Sequence, residues 1–92
     1  MGIYPDYKNK KGIMIRDLNN GVIVYKYIKE NFLDNKDILN NEEIVKAQNI
    51  YNDLPNKEDI EIRVYVSVWT TYDTNSTPFY EWMPIDSFKE LE

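Results

Sequence analysis

The clearest pattern along the chain is a strict alternation of two kinds of side chain between residues 60 and 69. Aliphatic residues occupy every second position, and the residues between them are polar or aromatic. Successive side chains of a strand point to opposite faces of a sheet, so this alternation predicts an antiparallel strand with one face in the core. The aliphatic set is Ile60, Ile62, Val64, Val66 and Val68, and the other set is Glu61, Arg63, Tyr65, Ser67 and Trp69.

A second apolar segment follows at residues 79–83, after the polar stretch 70–78. The two segments together predict a β-hairpin with a long polar tip. We expect the second strand to end before Pro84, because proline lacks the N–H group that the interior of a sheet requires. Asp86 is the predicted cap of a last helical turn that contains Phe88 and Leu91.

Two shorter segments upstream are rich in β-forming residues. Residues 12–18 predict a strand and residues 22–28 its return strand, joined by Asn-Asn-Gly at 19–21, which suits a two-residue hairpin turn. Apolar residues spaced four apart also fit a helix over about residues 20–33. We favour the strand for 22–28, because Val-Ile-Val is a poor start for a helix.

One main helix is predicted over residues 41–54. Asn40 is a suitable N-cap, and Glu43, three residues later, completes a capping-box pattern. Pro55 ends the helix because it cannot continue the hydrogen-bond pattern. The apolar stripe of this helix is Ile44, Ala47, Tyr51 and Leu54.

These elements predict the α+β fold class, with an antiparallel sheet of three to four strands and the 41–54 helix packed on one face. Residues 1–11 show no periodicity and contain three lysines and Pro5, so we expect a flexible basic arm there. A chain of 92 residues leaves room for one domain, which we place at residues 12–92. The order of the strands stays open.

The composition of the chain limits the classes of function that it could have. The net charge is −5, so direct nucleic-acid binding is disfavoured and a partner with a basic surface is favoured. The absence of cysteine and of a long apolar run predicts a cytoplasmic protein with no membrane segment. The abundance of Asn, Ile and Lys is typical of AT-rich genomes and suggests a bacterial or phage origin.

Histidine and cysteine are both absent, and no phosphate-binding or nucleophile motif is present. The commonest general base, the thiol nucleophile and the usual zinc ligands are therefore missing. Paired carboxylates occur only at positions that are typical of solvated acids. We predict no catalytic residues, no cofactor and no metal site, and we expect the protein not to be an enzyme.

The aromatic residues of the predicted hairpin are the feature that most favours a binding function. Tyr, Trp and Arg dominate binding hot spots. We therefore predict a small acidic inhibitor, immunity protein or antitoxin-like factor. In the alternative interpretation the helix covers these rings and they belong to the core. The predicted partner-binding residues are Tyr65, Trp69, Tyr72, Tyr80 and Trp82, with Glu58, Asp59 and Glu61 as an acidic rim.

A second hypothesis is a protein that binds or sequesters a small, nucleotide-like ligand. Arg63, Lys26 and Lys29 would then contact phosphates while the rings stack on the base. A homo-oligomer would be needed to build a pocket that one small protomer cannot enclose.

Overall fold

The alternating segment forms the central strand of the sheet. The computed structural model describes residues 3–29, 38–70 and 79–91. Within them the chain forms an antiparallel sheet of five strands and one α-helix, so the predicted α+β class is confirmed. The strands are β1 (Ile3–Asp6), β2 (Gly12–Asp17), β3 (Val22–Ile28), β4 (Ile60–Thr70) and β5 (Phe79–Ile85), and the helix is α1 (Asn41–Asn52). Three short 3-10 turns complete the described elements, at Tyr7–Asn9, Lys57–Asp59 and Phe88–Leu91.

Strand β4 is paired along both of its edges. On one edge it pairs with β5 over residues 62–68. It also pairs with β2 over residues 60–65 and with β1 over residues 67–70. Since both of these ranges overlap the part paired with β5, β1 and β2 must lie end to end on the opposite edge. Strand β3 pairs with the outer edge of β2.

The helix packs on the aliphatic face of the sheet. It starts as the capping box predicts, because the Asn40 side chain accepts from the Glu43 N–H and the Glu43 side chain accepts from the Asn40 N–H. Ile44 and Ala47 are its buried residues. The core that they share with the sheet contains Ile13, Ile15, Leu39, Ile62, Val64, Val66, Val68, Ile85, Phe88 and Leu91. Within the described ranges, no helix has the length and apolar character needed to span a membrane.

The N-terminal segment differs from the flexible arm that we expected. Residues Ile3–Asp6 form β1, Lys10 and Lys11 are only 9% and 0% exposed, and the Lys11 N–H donates to the Tyr65 carbonyl at 2.7 Å. Strand β4 is longer than β2, so β2 leaves the last residues of one β4 edge unpaired, and β1 supplies hydrogen-bond partners for their backbone groups. This long-range pairing outweighs the weak β-propensity of the N-terminal residues. Residues 1 and 2 lie outside the described part.

Strand β3 confirms the extended prediction for residues 22–28, and the helical alternative is wrong there. The turn before it is longer than predicted. The Gly21 N–H donates to the Asp17 carbonyl at 2.8 Å, and of the described residues only Gly21 has a positive φ, of 71°. Both asparagines therefore keep negative φ, and the loop contains four residues rather than two.

Strand β5 continues through Pro84 to Ile85, so the expected end before Pro84 is wrong. Pro84 lies opposite Arg63, and no described strand pairs with the outer edge of β5. Proline is tolerated on an edge strand because its missing N–H faces no partner. The terminal turn forms over Phe88–Leu91, but the carboxylate of Glu90, and not that of Asp86, accepts from the backbone at its start.

Candidate binding face

The register of the sheet assigns the aromatic side chains to one face. Tyr65 lies opposite Trp82 on β5, and Trp69 lies opposite Tyr4 on β1. Residues paired across antiparallel strands share a face, and this face is the one opposite α1. The interpretation in which the helix covers the rings is therefore wrong. We call this surface the aromatic face and define it by Tyr4, Tyr65, Trp69, Tyr80 and Trp82.

Three of these rings form a contact cluster with Tyr65 at its centre. The ring of Tyr80 stacks on Tyr65, with 5.8 Å between centroids and an interplanar angle of 21°. The ring of Trp82 is tilted against Tyr65, with centroids 5.0 Å apart. The three side chains are half-buried. Gly12, which is opposite Tyr65 on β2, has no side chain and leaves room for the Trp82 ring.

Tyr4 and Trp69 are the most exposed members of the aromatic face. Their exposed fractions are 59% and 43%. As cross-strand partners they extend the ring cluster toward the end of β4. Tyr4 is not among the predicted site residues, because the strand that contains it was not predicted. The signal that could have found it was the alternation of Tyr4 and Asp6 with Ile3 and Pro5.

The charged groups on this face are three cations and two anions, so the face is not acidic although the whole chain is. By register, the five that share it are Asp6, Arg16, Lys26, Glu61 and Arg63. The guanidinium of Arg63 is held by Glu61 through two hydrogen bonds, from Nε at 2.8 Å and from a terminal nitrogen at 3.2 Å. The hydrogen bonds to Glu61 raise the pKa of Arg63, so its guanidinium stays charged. The Lys26 ammonium lies over the Trp82 ring, 5.8 Å from its centroid.

The other predicted site residues lie elsewhere. Lys29 forms an ion pair with Glu43 of α1 at 3.0 Å and is not on the aromatic face. Glu58 is exposed in the turn before β4, and Asp59 accepts from the Asn19 side chain at 2.9 Å. Both acids lie at the end of β4 remote from Trp69, at a distance of about 30 Å for ten extended residues. Tyr72 lies outside the described residues.

Ser67 is a polar residue buried beneath the aromatic face. It is 2% exposed, and its hydroxyl has no hydrogen-bond partner within the described structure. A buried hydroxyl without a partner costs free energy, because its hydrogen bonds to water are lost on folding.

We expect Ser67→Ala to raise the free energy of unfolding by about 1 kcal/mol, because the substitution removes the hydroxyl and keeps the strand. Urea denaturation followed by far-UV circular dichroism measures the change. A lower stability of the alanine variant would contradict the prediction and would mean that the hydroxyl is satisfied in solution.

The described residues contain no group of three or more carboxylates or other ligands that could hold a metal ion. Comparison of the chain with known protein families, with characterised proteins and with solved structures found no match.

Proposed function

We propose that this chain is a non-catalytic binding protein that docks on a protein partner through its aromatic face. The observation that carries the proposal is the exposed pair Tyr4 and Trp69, which continues a cluster of stacked rings on a sheet face that no described element covers. Aromatic side chains supply large contact areas at a low cost in conformational entropy. Exposed contiguous aromatic surface is typical of interaction sites.

The proposed partner has a basic surface. The net charge of −5 supports long-range attraction to such a partner, and it speeds encounter more than it strengthens the final contact. The aromatic face itself is not acidic, because Glu61 is neutralised by Arg63. In this proposal the rings hold the complex, and acids elsewhere, such as the exposed Glu58, contribute to the attraction.

The biological setting that fits these properties is an inhibitor, immunity protein or antitoxin-type factor from a bacterium or a phage. Its small size, acidic charge and lack of histidine and cysteine support this class. We propose a cytoplasmic location, supported by the lack of cysteine in so small a domain.

A second candidate function is supported by the cations on the same face. Lys26 and Arg63 share the aromatic face with the rings, as a site for a planar anionic ligand such as a nucleotide requires, although a phosphate would have to compete with Glu61 for Arg63. Lys29 is not available to this site, because it pairs with Glu43 on the helix side. The face is open, so a homo-oligomer would have to enclose the ligand.

Site-specific photo-crosslinking tests the first function. Benzoylphenylalanine is placed at Trp69 and, as a matched control, at Val45, which is 50% exposed on the helix. We expect irradiation in a lysate of the host cell to yield one adduct at position 69 that is absent at position 45. Excess unlabelled protein should suppress this adduct, whereas a Tyr4→Ala competitor should be at least about ten times weaker, a loss of about 1.4 kcal/mol.

Identical adducts at both positions, or an adduct at position 45 alone, would contradict docking through the aromatic face. A thermal-shift series with nucleotides separates the two candidate functions. Stabilisation by one nucleotide that disappears in Lys26→Met would favour the small-ligand function instead.

A further inference from the structure

A groove on the helix side of the molecule has the size of a small-molecule site. It lies between α1 and the terminal turn Phe88–Leu91 and has a volume of 580 Å³. Sites for small ligands usually measure about 300–1,000 Å³. The described residues that line the groove are Lys10, Asn41, Ile44, Val45, Gln48, Phe88 and Leu91.

Lys10 is the one charged residue among these lining residues. It is 9% exposed, and no carboxylate in the described structure pairs with its ammonium group. Its backbone is fixed, because its carbonyl accepts from the Leu39 N–H at 2.9 Å. Most of the Lys10 side chain is buried, and its ammonium group, which has no carboxylate partner in the described structure, can form a charge-assisted hydrogen bond to an anion in the groove.

The remaining surroundings favour an anion with an apolar tail. Asn41 is the first residue of α1, where the helix dipole adds positive potential, although Glu42 and Glu43 in the same turn reduce it. Ile44, Phe88 and Leu91 provide apolar walls. A smaller hollow of 180 Å³ shares Gln48 and Phe88 as lining residues, but Asp86 and Lys89 also line it, so the apolar part of the groove ends there.

We propose that this groove binds a small amphiphilic carboxylate, with the carboxylate on the ammonium of Lys10 and an unbranched hydrocarbon tail along α1. Lys10 and Asn41 form one polar end of the groove, and the apolar side chains of Ile44, Val45, Phe88 and Leu91 line the groove between this end and Gln48. This arrangement matches a ligand with a single anionic group. The site lies on the helix side and does not depend on the function proposed for the aromatic face.

Isothermal titration with decanoate, decanol and decyltrimethylammonium, each below its micelle-forming concentration, tests the proposal. We expect decanoate to bind at least about ten times more tightly than decanol, which corresponds to about 1.4 kcal/mol, and the cation not to bind. Lys10→Met keeps the length of the side chain and removes the charge. It should weaken decanoate binding about tenfold and leave decanol binding unchanged. Lys46→Met, at an exposed helix position outside the groove, should change neither.

A second variant keeps the test valid if Lys10→Met does not fold. Val45 is 50% exposed, so Val45→Trp should fill the groove without disturbing the core and should abolish decanoate binding. No decanoate binding to the wild type, equal affinity for decanoate and decanol, or full binding by Val45→Trp would each overturn the proposal. Crosslinking at Trp69 should be unchanged in Lys10→Met, so the two proposals can fail separately.

Discussion

Replacing Gly12 by alanine is expected to lower the free energy of unfolding by about 2–3 kcal/mol. A Cβ atom at this position would lie 2.8 Å from the carbonyl oxygen of Tyr27, 3.1 Å from Cη2 of Trp82 and 3.2 Å from Cβ of Tyr65. The first of these neighbours is backbone of the adjacent strand, so it cannot move without shifting β3. The substitution therefore disturbs the β2–β3 pairing as well as the ring cluster.

Gly21→Ala is the matched control, because it separates backbone strain from lack of space. A Cβ atom at Gly21 has no neighbour within 4 Å, but the residue has a φ of +71°. We expect a cost of about 1 kcal/mol there, caused by the left-handed conformation alone. Denaturant unfolding measures both changes, and the near-ultraviolet circular dichroism of the rings should change only in Gly12→Ala. Equal stability losses in the two variants would contradict this explanation.

The second large effect is expected at Glu43, where the end of β3 meets the start of α1. Its Oε1 atom accepts from the Tyr27 hydroxyl and from the Lys29 ammonium, both at 3.0 Å. Its Oε2 atom accepts from the Asn40 N–H at 3.2 Å. Glu43→Ala removes all three interactions and the capping box, so we expect the free energy of unfolding to fall by about 2 kcal/mol.

The same carboxylate makes stability depend on pH. Burial acts to raise the pKa of Glu43, but the hydrogen bonds from Lys29, Tyr27 and the Asn40 N–H together outweigh it and lower the pKa below its ordinary value of 4.5. A carboxylate with a lower pKa in the folded state stabilises the fold above the pKa of the unfolded state. This contribution is lost as the pH falls through the pKa of the folded state.

Glu43→Gln separates the charge from the cap, because glutamine can also complete a capping box. We expect the wild type to lose more stability than Glu43→Gln when the pH falls from 6 to 3, and thermal unfolding across this range measures the difference. Parallel pH profiles for the two proteins would show that the charge of Glu43 does not contribute.

Sequence patterns predicted correctly those elements that a few neighbouring residues determine. The alternation at 60–69 corresponds to β4, which also includes Thr70, and the Asn40–Glu43 capping box corresponds to the start of α1. Features that depend on distant partners were not predictable. Strand β1 exists because β4 has a longer edge than β2 covers, and Pro84 is tolerated because β5 lies at the edge of the sheet.

The candidate site was predictable to the same extent. A period of two placed Tyr65 and Trp69 on one face, and Tyr80 and Trp82, which were also predicted as site residues, share this face by the register of β5 with β4. Lys29 was assigned to the same site wrongly, because its pairing with Glu43 depends on the position of α1 over the sheet. Burial of Lys10 beside the helix has no local sequence signal, since lysine is almost never fully buried.

The arrangement of β1 and β2 along a single edge of β4 affects how the protein is made. Translation produces both of these strands, and the whole helix, before the strand that pairs with them. Of the described strand pairings, a nascent chain that ends before Ile60 can form only β2–β3, because all the others involve β4. An isolated hairpin is marginally stable in water. Ile13 and Ile15, which are 0% exposed in the folded protein, would stay accessible to chaperones throughout this period. The ribosome must therefore deliver most of the polypeptide before the sheet can close, and assembly should be a late, cooperative event rather than a stepwise one.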